Sequence, residues 1–196
     1  GSEKTKQIIY REGYLPLLSD DEVNQMEKID AARRRGKFLK HHCHVMKVDV
    51  TTGKTVWKRD FEELVFPCMA LKNNHVLLQS PTRVIALGQE TGKDQWSADF
   101  QTELPIAGNK LKNGEMQWEA PTLVVNDEVV LSSDFKKIRA YDAKSGKELW
   151  SAKSSKGYNS PADVFLIDGL LWLGGKGGRR AYDPRTGELR KSLPNK

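Results

Sequence analysis

Three of the four histidines in this chain stand together in "HHCH", His41 to His44, around Cys43. Imidazole and thiolate are ligands for zinc or copper. The spacing tempers that chemistry. Adjacent residues on a strand point to opposite faces, so His42 and His44 share one side and His41 and Cys43 the other. No CxxC or HxxxH elsewhere completes a set. His42, His44 and Cys43 are therefore the metal candidates, set against a plain reading as a polar strand edge. No Ser-His-Asp arrangement or paired-carboxylate motif stands out. "LGGKGGRRAY" is glycine-rich but lacks GKS or GKT and is followed by no helix pattern, so it reads as a hairpin turn rather than a phosphate loop.

Two connections carry the remaining candidates. "SSKGYNSPADV", Ser154 to Val164, is polar and holds Tyr158 and Asn159, which are suited to lining a small-ligand pocket. The bland alternative is a turn-rich connector. "QTELPIAGNKLKNGEMQWEAP", Gln101 to Pro121, is long for a loop inside a compact domain, and such loops are often functional. Its Met116 and Trp118 would be costly to expose. Trp118 joins Tyr158 and Asn159 as a ligand-binding candidate.

What positions these residues is a repeat. Gly53, Gly92, Gly146 and Gly187 each follow a threonine or serine. Four positions before them stand Asp49, Gly88, Asp142 and Asp183; four positions after stand Trp57, Trp96, Trp150 and Lys191. Each phrase describes a β-hairpin. The aspartate bonds to backbone amides within the turn, and the glycine takes the left-handed conformation that closes it. The tryptophan offers a flat face for packing one sheet on the next.

A second hairpin precedes each of the last three phrases. "CMALKNNHVLLQS" turns at Asn73-Asn74, "PTLVVNDEVVLSS" at Asn126-Asp127 and "DVFLIDGLLWLGG" at Asp168-Gly169. Four short antiparallel strands at a period near 40 residues predict a blade of an all-β propeller. Full blades are expected over about Cys68–Ser97, Pro121–Ser151 and Pro161–Leu193, while "HVMKVDVTTGKTVW" supplies one further hairpin with no evident partner. That makes about three and a half four-stranded blades, against the roughly four to eight of a closed ring. The expectation is that another polypeptide segment, or a homodimer, completes the propeller.

Upstream, "SDDEVNQMEKIDAARRRG" departs from strand patterning. Ser19 and Glu22 form a capping box, Arg33 to Arg35 suit a helix C-terminus and Gly36 is a fitting stop. A short N-terminal helix is predicted from about Asp20 to Arg35. The chain thus divides into residues 1–36 (a tag remnant at Gly1-Ser2, then the N-terminal segment and helix) and a partial propeller over residues 37–196.

Composition excludes more than it selects. A net charge of +6 is spread through turns and strand ends, without the basic and aromatic stripe of a nucleic-acid binder. No apolar run has the length of a membrane-spanning helix, so neither nucleic acid nor membrane insertion is expected. Cys43 and Cys68 either pair in an oxidising compartment or remain separate thiols; spacing does not decide.

The TGKxxW phrase after a strand ending in Val-Asp or Tyr-Asp resembles the PQQ-like propeller repeat, over roughly His44 to Leu193. That repeat is shared by quinoprotein dehydrogenases, by the scaffold protein of outer-membrane β-barrel assembly and by many bacterial proteins of unknown role. "EAPTLVVNDEVVLSSD", "YNSPADVFLIDGLLWLGG" and "YDPRTGE" look like bacterial propeller proteins that sometimes carry a methyltransferase-like domain. The resemblance implies a bacterial periplasmic or exported protein. It also implies a protein-binding scaffold or, alternatively, an enzyme module with a rim ligand site beside a methyltransferase-like or quinoprotein-like domain. Quinoprotein dehydrogenases use a vicinal cysteine pair, and Cys43 and Cys68 are not adjacent. The expectation is therefore a module that is not an enzyme by itself and has no cofactor, PQQ included, unless the His42, Cys43 and His44 cluster takes a metal.

Overall fold

The computed structural model describes residues 4–8, 14–20, 43–62, 64, 69–80, 82–100, 109–110, 116–117, 122–133, 137–154, 164–174 and 178–194; at 4–8, 14–20, 43, 109–110 and 116–117 the description is of backbone alone. These residues form four antiparallel four-stranded sheets, each a meander in chain order. Blade 1 is β1 (Lys4–Ile8), β2 (Tyr14–Asp20), β3 (Cys43–Asp49) and β4 (Thr55–Phe61). Blade 2 is β5 (Met69–Lys72), β6 (His75–Gln79), β7 (Arg83–Gly88) and β8 (Asp94–Asp99). A two-stranded ribbon of β9 (Asn109–Lys110) and β10 (Met116–Gln117) lies within the long insertion. Blade 3 is β11 (Thr122–Val125), β12 (Val129–Ser133), β13 (Lys137–Asp142) and β14 (Glu148–Lys153). Blade 4 is β15 (Val164–Ile167), β16 (Leu170–Leu173), β17 (Arg179–Tyr182) and β18 (Leu189–Leu193).

The turn residues act as their chemistry dictates. Asn73 and Asn74 have φ of 50° and 59°, and Asp168 and Gly169 have 50° and 73°, so both loops take the left-handed pair that suits a two-residue hairpin. Asn126 instead closes a longer loop, its Oδ1 accepting the N–H groups of Glu128 and Val129 at 2.9 and 2.7 Å. "LGGKGGRRAY" joins β16 to β17, with Leu173 opposite Arg180, as a hairpin connection should.

The core lies between the blades. Along β6 and β7, Val76, Leu78, Ile85 and Leu87 meet Val45, Leu64 and Met69 at the junction of blades 1 and 2. The alternate residues Leu77, Val84 and Ala86 meet Val130, Tyr141 and Ala143 at the junction of blades 2 and 3. Val129, Leu131, Ile138 and Ala140 then meet Val164 and Leu171 of blade 4. A strand buried on both faces needs apolar residues on both, which is why β6, β7 and β12 carry the consecutive apolar runs Val76 to Leu78, Val84 to Leu87 and Val129 to Leu131.

One sequence expectation is corrected. Blade 1 is not a half blade: β2 pairs with β3 along its whole length, from Tyr14 opposite Asp49 to Asp20 opposite Cys43, and β1 pairs with β2. The first sheet therefore draws two strands from upstream of residue 37. Its first hairpin escaped notice because "KTKQI" and "YLPLLSD" carry no Asn-Gly or Asp-Gly signal and Pro16 sits inside a strand. Ser19 and Asp20, expected at the start of a helix, are the last residues of β2; the rest of that segment, 21–42, lies outside the described residues. Among the described residues there is no helix, and so none long and apolar enough to cross a membrane.

Candidate functional site

The repeated phrase proves to be a joint between blades. Within each turn the aspartate Oδ1 accepts two backbone N–H groups: Thr51 and Thr52 on Asp49 at 2.8 and 3.1 Å, Lys144 and Ser145 on Asp142 at 3.2 and 2.9 Å, Arg185 and Thr186 on Asp183 at 2.9 and 3.1 Å. These bonds favour the ionised form. The Ser145 hydroxyl and amide hold Asp142 below the usual carboxylate range, and Arg190, followed by the turn amides, does the same for Asp183. The glycine follows at φ of 69°, 65°, 71° and 74° for Gly53, Gly92, Gly146 and Gly187.

That glycine is where the preceding blade docks. A β-carbon on Gly92 would lie 2.7 Å from the indole of Trp57, one on Gly146 2.4 Å from Trp96 and one on Gly187 2.9 Å from Trp150. Each indole N–H donates to the backbone carbonyl one residue after the turn's first position: Trp57 to Gln89 at 2.9 Å, Trp96 to Ala143 at 3.2 Å and Trp150 to Pro184 at 2.9 Å. The glycine is thus required twice over, for its backbone and for the missing side chain that lets the ring lie flat. The equal four-residue spacing of glycine and tryptophan was visible in the sequence. That each tryptophan serves the next repeat's glycine was not.

The first junction carries extra polar linkage. The Arg59 guanidinium donates to the Gly92 carbonyl at 2.8 Å and contacts Asp94 at 3.2 Å. Lys47 occupies the strand position held by Ala86, Ala140 and Ala181 in the other blades, opposite Trp57. Its side chain is 1% exposed and its ammonium reaches Glu90 at 2.7 Å, at the surface.

Gly88 is the exception among the turns. Its amide and carbonyl keep the pattern of the others, with Gly92 N–H on Gly88 O at 2.8 Å, but no carboxylate is present. An added β-carbon would meet Thr91 Oγ1 at 2.9 Å and Gln95 Nε2 at 3.2 Å, the ends of side chains that can turn aside; at the equivalent place the Ser145 hydroxyl donates to Asp142 at 2.8 Å. Gly88→Asp is expected to stabilise the protein by about 1 kcal/mol, through two new amide bonds and a less flexible unfolded chain. A urea denaturation midpoint at or below the parent's would refute this.

Among the described residues the series is open at both ends. Among the described residues nothing lies within 4 Å of a β-carbon on Gly53. At the far end Lys191, opposite Ala181, stands where Trp96 and Trp150 stand opposite Ala86 and Ala140. On blade 4, Phe165, Ile167, Leu189 and Leu193 are each about half exposed. Phe165, Ile167, Trp172, Leu173, Gly174 and Arg179 line a groove of about 300 Å³ there.

Of the residues singled out from sequence, Tyr158, Asn159, Trp118 and His42 lie outside the described residues, and Cys43 is described in its backbone alone. His44 is fully buried within β3, opposite Ser19 and Asp60. Among the described residues no three His, Cys, Asp or Glu side chains gather as a metal site would require.

Four meander sheets packed in series and pinned by tryptophan on glycine define a PQQ-like β-propeller. The family model described as outer membrane protein assembly factor BamB matches residues 41–195, and the chain belongs to that family. The BamB protein of Bordetella pertussis is 24% identical over 149 residues, which cover 74% of this chain and 35% of that protein. Among solved structures, BamB from Moraxella catarrhalis superposes with a TM-score of 0.61 at 14% identity, over 97% of this chain and 54% of that one. A quinohemoprotein alcohol dehydrogenase from Comamonas testosteroni gives 0.58 at 15% identity, over 95% and 34%. The computationally designed Ika4 protein gives 0.56 at 16%, over 93% and 92%. These structural likenesses establish the fold. The chain spans about a third of its Bordetella relative and about half of the Moraxella structure.

Proposed function

We propose that this chain is a non-catalytic propeller module that binds other polypeptides, acting in the periplasm or another exported compartment of a bacterium as part of a larger ring. The observation that carries the reading is the open apolar face of blade 4. Phe165 and Ile167 alternate with residues that face blade 3, so they point where a further partner would pack. Covering the exposed half of such a side chain is worth about 1 kcal/mol each, and contiguous apolar surface of this kind marks an interaction site. The named role of the Bordetella relative, an outer-membrane assembly factor, supports the same reading. The defining residues of every repeat are spent on architecture, which leaves chemistry to be carried by other groups. An enzyme module would instead use a rim pocket at Tyr158, Asn159 and Trp118, or a metal at His42, Cys43 and His44.

The test uses a bacterial β-barrel assembly complex purified without its own propeller subunit. Immobilised chain is expected to capture it, and the double variant Phe165→Glu, Ile167→Lys to weaken capture at least tenfold. Lack of binding, together with alcohol oxidation on addition of pyrroloquinoline quinone and calcium, would overturn the reading in favour of an enzyme.

A further inference from the structure

Buried polar groups gather at the junction between blades 2 and 3. On blade 3, Val130 pairs with Tyr141 and Ser132 with Arg139. Val130 and Tyr141 pack on blade 2, and by the strand period of two Ser132 and Arg139 share that face. The same places in blade 2, turned toward blade 1, hold Val76 with Leu87 and Leu78 with Ile85. Across the junction, Gln79 lies two residues beyond Leu77 on β6 and shares its face, and Leu77 packs with Val130 and Tyr141.

Strand direction brings these groups to one rim. The Lys72 ammonium meets the Asp127 carboxylate at 3.0 Å, and the Asn73 amide donates to the Asp127 carbonyl at 2.8 Å, so β6 and β12 start side by side. Gln79 and Ser132 therefore come together at the other end. There the Arg139 guanidinium lies 4.8 Å from the centre of the ring of Phe100, the residue that follows β8. Gln79 is 1% exposed, Ser132 0%, Tyr141 1% and Arg139 4%. Among the described residues, the Gln79 amide nitrogen and oxygen and the Ser132 and Tyr141 hydroxyls have no hydrogen-bond partner. Buried polar groups are costly to leave unpaired, and a row of them in one junction is the mark of a ligand.

The chemistry selects the ligand. Gln79, Ser132 and Tyr141 each offer a neutral donor; burial pushes the Tyr141 phenol up, so it keeps its proton. Arg139 adds positive charge to the same layer, which repels a cation and favours an anion. Enclosure limits the size. We propose that the rim end of the junction between blades 2 and 3 binds a small monovalent anion, a halide or a simple carboxylate, held by Gln79, Ser132 and Tyr141 beside Arg139. The site lies inside the chain, apart from the polypeptide-binding face of blade 4.

The test is thermal unfolding in sodium gluconate, whose anion is too large for the site, with chloride or formate replacing gluconate at constant sodium concentration. Both small anions are expected to raise Tm by about 3 °C and to saturate. Ser132→Ala and Tyr141→Phe keep the packing; they should leave Tm in gluconate unchanged or higher and abolish the response. The chloride magnetic-resonance line should broaden with the parent chain, narrow again on adding formate and stay narrow with either variant. No saturable response, or one that both variants retain, would overturn the inference. So would variants that lose stability equally in every salt, because the hydroxyls would then serve the fold alone.

Discussion

Gly146→Ala is expected to cost about 4 kcal/mol, and Gly53→Ala only about 1 to 2 kcal/mol, although the two glycines share a backbone conformation. Both have φ near 70°, where an L-residue pays the left-handed penalty. Only Gly146 has an indole against it: a β-carbon would lie 2.4 Å from Trp96 Cε3 and 2.7 Å from Cδ2. The ring would have to lift, lengthening the 3.2 Å bond to the Ala143 carbonyl and opening the junction that buries Tyr141 and Leu77. The difference between the two variants thus isolates the packing term from the backbone term. Urea denaturation of both, followed by tryptophan emission, measures it. Equal losses would mean that the indole adapts freely and that the joint contributes little.

Trp150→Ala is expected to cost about 3 kcal/mol, the lower end for a tryptophan because the ring is only partly buried. Trp150→Phe keeps an aromatic face but loses the N–H bond to the Pro184 carbonyl, and should cost about 1 kcal/mol. The loss is expected to be local. Blade 4 packs on blade 3 through the cluster around Val164 and Leu171 and the Trp150 bond, so weakening that junction frees blade 4 before the others, as in other repeat architectures. Hydrogen exchange should rise across residues 164–194 while β6 and β7 stay protected. Uniform acceleration over all four blades would show that the junctions unfold as one unit.

The blade strands were legible because their residues encode local geometry. Asn73-Asn74 and Asp168-Gly169 specify tight hairpins, and β6, β7 and β12 carry consecutive apolar residues (Val76 to Leu78, Val84 to Leu87, Val129 to Leu131) because both faces are covered. The site was legible in part. Trp57, Trp96 and Trp150 were expected to wedge between neighbours, and they do. The first hairpin, β1 with β2, was missed because its strands carry no Asn-Gly or Asp-Gly signal and Pro16 sits inside one of them, and the pairing of β2 with β3 spans residues 21–42, beyond the reach of local pattern.

By itself, the sequence determined that this is a chain of PQQ-like blades, since turn chemistry and period-two burial act over a few residues at a time. Tertiary structure alone decided which glycine each tryptophan meets, that Lys47 reaches Glu90 across a junction, and that among the described residues Gly53 meets no indole. Those contacts join residues more than thirty positions apart, and such distances close only when whole sheets pack face to face.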